Sequence, residues 1–190
     1  MRPEIEEVLQ TIEEEEERRR QEGRPSLLCV GRDGGRLLHL LVLLRKPRHV
    51  LEVGLSAGYS TLWIAAALPP EGVLTTVERD GEKIAMAKNN LERAGLLGQV
   101  EILEGPALLR LRDVAGPIDM VFLDAAKDEY LDYFRAVEPL LSPEAMVVAD
   151  NVLSHRQEVE PYLAYVGRHP SFRSFTFPVG NGLEVTLKGA

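Results

Sequence analysis

Asp124, Lys127, Asp150 and Asn151 are the residues of this chain whose types and spacing could do chemistry together. Asp124 closes the apolar run at 118–123, Lys127 follows three residues later, and Asp150-Asn151 closes the apolar run at 145–149. Two carboxylates and a carboxamide, all oxygen donors, suit a hard divalent cation such as Mg2+, which keeps coordination positions for water or substrate. Cys29 is the single cysteine and no HxxxH pair is present, so neither a zinc cluster nor an internal disulfide is written. A lysine beside a bound cation has its proton affinity lowered and could serve as general base. The competing readings are structural. Each Asp could cap a following helix, and Lys127 could be a surface lysine, although a cation near a helix N-terminus opposes the dipole.

A second group surrounds the stretch His49-Val50-Leu51-Glu52-Val53-Gly54-Leu55-Ser56-Ala57-Gly58-Tyr59-Ser60-Thr61. It has the form of a buried strand, a glycine turn and a helix start, the place where a nucleotide-like cofactor lies in a doubly wound sheet. Its glycines are four apart with Ser56 between them, so the G-x-G-x-x-G pyrophosphate cradle is absent. Glu52, two residues before Gly54, suits a cationic amino-acid cofactor better than a phosphate. Glu78 ends the next apolar run, where a carboxylate could accept both ribose hydroxyls of a nucleoside.

For these groups to meet, the strands carrying them must share one sheet edge, because ligands of an open α/β sheet gather at the carboxyl ends of its strands. The pattern predicts strands at 49–53, 73–78, 100–103, 118–123 and 145–149, then a hairpin of 172–177 and 183–187 joined by Pro178-Val179-Gly180-Asn181-Gly182. Between them it predicts helices at 36–45, in the stretch after Ser60, from Asp80 (as cap) to Gly95 (as stop), at 128–141 and at 155–168. Residues 27–30 read as extended. Residues 4–22 read as a solvated helix with Ile5, Val8, Leu9 and Ile12 on one stripe and three favourable pairs, Glu14–Arg18, Glu15–Arg19 and Glu16–Arg20. This helix packs, dimerises or covers the acceptor. Strands alternating with helices and then a hairpin give an α/β sheet with an antiparallel edge.

The chain of 190 residues is 45% hydrophobic, enough for one domain with a sizeable core. Its longest apolar run, Leu37 to Leu44, is interrupted by His39 and falls well short of the roughly 20 residues of a membrane span. No signal-peptide core follows Met1, so a cytoplasmic setting is the expectation. The net charge is −8, of which nine Glu and four Arg in residues 1–22 supply −5. An acidic balance gives no support to tight nucleic-acid binding.

The five segments 51–60, Glu78, 105–108, 122–130 and 149–153, in this order, resemble the cation-dependent, S-adenosylmethionine-dependent O-methyltransferases of the catechol and caffeoyl-CoA type. The resemblance covers about residues 26–188. It implies a Rossmann-like class I methyltransferase fold: seven strands, mostly parallel, with a C-terminal antiparallel hairpin and helices on both faces. It implies one domain over 1–190, with residues 1–25 as a charged N-terminal helix, and a homodimer. Carried over by position, Val30, Glu52, Gly54, Ser56, Ser60, Glu78, Ala107 and Asp124 are cofactor-binding. Asp124, Asp150 and Asn151 are the Mg2+ ligands, Lys127 is the base, and Glu184 is the acid near the acceptor hydroxyl. Ala126 stands where the family often has a second Asp, and the brief segment 154–161 implies an open acceptor site. The implied acceptor is a small molecule with neighbouring hydroxyls. A hydroxylated tRNA base is the alternative, as is a cofactor-binding protein without transferase activity.

Overall fold

The strands of this chain are apolar on both sides, as a sheet covered by helices on both faces requires. The computed structural model describes residues 1–189; Ala190, the last residue of the expected domain, lies outside the described residues. The strands are β1 (His49–Val53), β2 (Val73–Glu78), β3 (Val100–Glu104), β4 (Ile118–Leu123), β5 (Leu141–Ala149), β6 (Phe172–Phe177) and β7 (Leu183–Lys188). They form one seven-stranded sheet in the order β3-β2-β1-β4-β5-β7-β6. The first five in that order run parallel, and β7 runs antiparallel to both β5 and β6. This is the expected class I methyltransferase architecture, with the C-terminal hairpin inserted so that its second strand meets β5. The strand order reverses between β1 and β4, which opens a crevice at their carboxyl ends.

The helices are α1 (Pro3–Gln21), α2 (Arg32–Arg45), α3 (Tyr59–Ala65), α4 (Gly81–Arg93), α5 (Ala107–Arg110), α6 (Tyr130–Val137) and α7 (Arg156–Arg168). Helices α1 to α4 bury one face of the sheet through Leu9, Leu38, Leu62 and Leu91, against Val50, Phe122 and Val148. Helices α6 and α7 bury the other through Tyr130, Phe134, Val159 and Tyr162, against Leu51, Val121 and Val147. The apolar stripe of α1 (Ile5, Val8, Leu9, Ile12) is spent on this chain's own core. It is a packing helix.

Local chemistry explains the boundaries. Asp80 caps α4, accepting the N–H groups of Glu82 and Lys83 at 2.9 and 3.3 Å. Helix α2 starts at Arg32 rather than at the expected Arg36, and Asp33 makes no cap bond. Gly34 and Gly35 are inside the helix, where a Cβ on Gly35 would collide with the Trp63 indole. The α6 helix is shorter than expected and is flanked by 3-10 turns at Lys127–Glu129 and Glu138–Leu140. Strand β5 begins at Leu141, through Pro143, with its register to β4 shifting between Ile118 and Met120.

At the β6 edge of the sheet, the face opposite α7 is only partly covered. Arg173, Phe175 and Phe177 share that face with Leu183, Val185 and Leu187. Phe175 is 65% exposed and Leu187 44%, beside an outer face of α2 where Leu40 and Leu44 are 50% and 71% exposed.

Candidate active site

The crevice at the carboxyl ends of β1, β2, β4 and β5 is a cleft of about 790 Å³. Its floor is the turn after β1. Gly54 has φ +109°, and a Cβ there would lie 2.5 Å from the Asp124 carbonyl oxygen. Only glycine lets the β1 turn approach the tip of β4 this closely. Ser56 sits at φ +46° and donates its N–H to Glu78 Oε2 at 3.0 Å. Glu78 Oε1 accepts from the N–H groups of Arg79 and Asp80 at 2.9 and 3.1 Å, so the tip of β2 is folded around this carboxylate.

Glu52 is fully buried one strand position behind the turn and does not line the cleft. Its carboxylate accepts the hydroxyls of Ser60 and Thr61 at 2.6 Å each and of Thr76 at 2.7 Å. Burial pushes its pKa up to about 7, against the pull of those three hydroxyls. Through these bonds Glu52 ties β1, β2 and the first turn of α3 together beneath the floor.

Over the cleft lie residues 26–30, outside the sheet and not extended throughout as expected, since Leu28 turns at φ +56°. Glu16 of α1 accepts the Leu27 N–H at 2.6 Å and the Ser26 hydroxyl. Two of the expected α1 pairs are therefore rearranged. Glu15–Arg19 forms at 2.9 Å, while Arg18 turns to Glu15 and Arg20 to Glu17, leaving Glu16 to hold this segment. Arg32 forks onto Glu13 and Glu6, and the Tyr59 hydroxyl donates to Glu13 at 2.5 Å, fixing α1 to the cleft rim.

The third wall carries the charged groups. Lys127 Nζ donates to Asp124 Oδ1 at 2.7 Å, with both side chains largely buried. Asp150 Oδ1 accepts the N–H of Asn151 at 2.6 Å. Asn151 adopts φ +64°, a left-handed turn that asparagine tolerates. Neither Asp caps a helix: α7 is preceded by His155 and α6 by Glu129. Burial raises the pKa of both Asp124 and Asp150, and the charge of Asp150 raises Asp124 further, against the pull of Lys127. Two buried carboxylates share one lysine.

Among the described residues no three His, Cys, Asp or Glu side chains converge as a metal site. The donor set is instead Asp124, Asp150 and the Asn151 carboxamide, all of which line the cleft. Its under-neutralised carboxylates and absence of sulfur fit a hard divalent cation with open positions.

Of the expected site residues, Val30, Gly54, Ser56, Ser60, Glu78, Ala107, Asp124, Lys127, Asp150 and Asn151 line one cleft. Glu184 is not brought to it. It is buried on β7 opposite Ala149, where it accepts the Thr176 hydroxyl on the α7 side of the sheet. The cleft also holds residues not expected from sequence, among them Glu16, Leu28, Glu129, Tyr133 and Asn181. His155 also lines the cleft, with its Nδ1 3.0 Å from the Ser154 hydroxyl.

Comparison with known proteins places this geometry. The chain is 43% identical over 135 residues to a catechol O-methyltransferase of Niastella koreensis, covering 69% of this chain and 61% of the relative. It is 31% identical over 184 residues to caffeoyl-CoA O-methyltransferase 2 of Petunia hybrida, covering 84% of this chain and 76% of the relative. The chain thus spans about three fifths of the length of the first of these relatives. The O-methyltransferase TomG of Streptomyces achromogenes, solved in complex with SAM, superposes with a TM-score of 0.85 at 30% identity, covering 100% of this chain and 91% of that one. Residues 4–167 match the model of the O-methyltransferase family, and it is to this family that the chain belongs.

Proposed function

We propose that this chain transfers the methyl group of S-adenosylmethionine to one of two neighbouring hydroxyls of a small, catechol-like acceptor, with a divalent cation such as Mg2+ held by Asp124, Asp150 and Asn151. The observation that carries the reading is the meeting of that oxygen donor set and Lys127 in the same cleft as the β1 glycine turn and Glu78. The chemistry supplied from outside the chain is an electrophilic sulfonium methyl and a Lewis acid that lowers the pKa of an acceptor hydroxyl.

The chain's own residues do the rest. Glu78 offers carboxylate oxygens for the ribose hydroxyls, and Ala107 lines the end where the base lies. Val30 and residues 26–28 shed water from the cofactor. Ser56 and Gly54 bring backbone close to it. Lys127 Nζ takes the proton leaving the acceptor hydroxyl. Holding nucleophile and methyl in line supplies much of the rate. Glu184 has no place near the acceptor in this scheme.

The reading includes a homodimer, now on a different face from α1. Exposed apolar side chains of α2 (Leu40 and Leu44), β6 (Phe175) and β7 (Leu187) are the surface offered to a partner. That suits the apolar centre of an interface burying about 800 Å² on each partner. A second copy fits it, because each patch pairs a protruding helix with an open sheet face and can be self-complementary.

The test is a calorimetric titration of MgCl2 into the protein loaded with S-adenosylhomocysteine, beside Asp150→Ala. Saturable binding in the wild type and its loss in the variant are the expected results. Silence with Mg2+, Mn2+ and Ca2+, catechol included, overturns the cation-assisted mechanism.

A further inference from the structure

Among the described residues, Tyr130 is the side chain whose hydroxyl bonds the backbone at both strand tips of the charged wall. It opens α6 and is completely buried. Its hydroxyl donates to the Leu123 carbonyl at 3.0 Å and to the Asp150 carbonyl at 3.1 Å. Those carbonyls belong to the residue before Asp124 and to Asp150 itself. A phenol has a single proton, so this near-equal sharing is a three-centre bond that bridges the ends of β4 and β5. Leu123 also accepts the N–H of Asp150 at 3.0 Å, the last backbone bond between these two chain segments before they part. The ring of Tyr130 serves a third group, since Lys127 Nζ stands 5.3 Å from its centroid. The ring is wedged edge-on against Tyr162, with centroids 6.2 Å apart and planes at 84°.

We propose that Tyr130 is a positioning residue: its hydroxyl sets the spacing of the Asp124 and Asp150 carboxylates by clamping the two strand ends, and its ring face seats Lys127. The inference rests on the cation reading above. The physical need is plain. Two carboxylates that repel each other in a buried cleft push the tips of β4 and β5 apart, and a cation-binding pair must be held ready at a fixed separation. The β4–β5 ladder ends at Leu123 and Ala149, before either carboxylate. Beyond that point, the Tyr130 hydroxyl and the Asp150 N–H tie the two segments.

The substitution Tyr130→Phe removes the bridge and keeps the ring, and Tyr130→Leu removes both. Tyr162→Phe is the control, since it deletes an equally buried hydroxyl whose contact is Thr186, away from the strand tips. Titration of the full chain with MgCl2, in the presence of S-adenosylhomocysteine, is the readout. Y130F is expected to bind S-adenosylhomocysteine as the wild type does and to bind Mg2+ about tenfold more weakly, within the usual 10- to 100-fold cost of losing an outer support. Y162F is expected to keep wild-type Mg2+ affinity. Equal Mg2+ affinity in Y130F and the wild type overturns the inference while leaving the cation reading intact. No cation binding by the wild type overturns the reading itself. Should Y130F not fold, the hydroxyl proton of Tyr130 in the wild type, followed by NMR, reports instead. A resonance that shifts on saturation with MgCl2 supports the clamp, and one that does not move overturns it.

Discussion

Leu27 is gripped on both sides of its backbone: its carbonyl accepts the Ser56 hydroxyl at 2.5 Å and its N–H donates to Glu16 at 2.6 Å. The segment covering the cleft is therefore held from the glycine turn below and from α1 at the side. Glu16→Ala removes the α1 hold without touching the cleft floor. Affinity for S-adenosylhomocysteine is expected to fall about five- to tenfold, the worth of one or two charge-assisted hydrogen bonds of roughly 1 kcal/mol net. Calorimetry measures it, and amide exchange at residues 26–30 should quicken in the same variant. Unchanged affinity with unchanged exchange would show that α1 does not hold this segment.

Glu52 gives the fold a pH dependence of unusual sign. Its pKa is raised from 4.5 to about 7 by burial, so between these values the folded chain holds a proton that the unfolded chain has released. Stability from this group is full below pH 4.5 and declines as pH rises through about 7. Asp124 and Asp150 are shifted in the same direction, so the wild type carries several such contributions. Glu52→Gln removes one of them. Urea unfolding at pH 5 and at pH 7.5 should show a smaller loss of stability with rising pH in the variant, by about 2 kcal/mol. An identical decline in both proteins would mean that Glu52 is already ionised in the folded state.

The patch on α2, β6 and β7 makes a prediction about mass. Leu44→Glu places a charge at an exposed position of α2. Sedimentation velocity at micromolar concentration is expected to give a dimer for the wild type and a monomer for the variant, with melting of the monomer close to that of the wild-type protomer. A wild-type monomer removes the homodimer from the proposal.

Much of the fold was legible because it rests on short-range rules. The apolar runs that became β1, β2 and β4 are bounded by turn residues, and Asp80 stands where a cap belongs. The strand-end acids were legible as a set because an open sheet brings strand tips together. What stayed hidden depends on partners distant in sequence. Gly34 and Gly35 look like turn residues, yet they lie inside α2 because Trp63, far along the chain, needs a helix surface without side chains there. Glu16 sits in a run of five glutamates and is distinguished only by its contact with residues 26–27. Glu184 was placed at the acceptor from its position in the chain, but the alternation of β7 turns it toward Tyr162 and Thr176. Tyr130 lay inside a quoted segment, and nothing in its spacing announced a bridge between two carbonyls.

The slot taken by β7 bears on how the chain is made. In the sheet, β6 has β7 as its neighbour and meets β5 only through it. Because β6 precedes β7 in the chain, it cannot take its place in the sheet until β7 has entered beside β5. A chain that pauses in folding before β7 docks would hold β1 to β5 as an open-edged sheet, with β6 still unpaired. Completion of the sheet is thus a late insertion rather than an extension at its edge, and the exposed β5 edge is where a pausing chain is most open to chaperone capture or to pairing with the wrong strand.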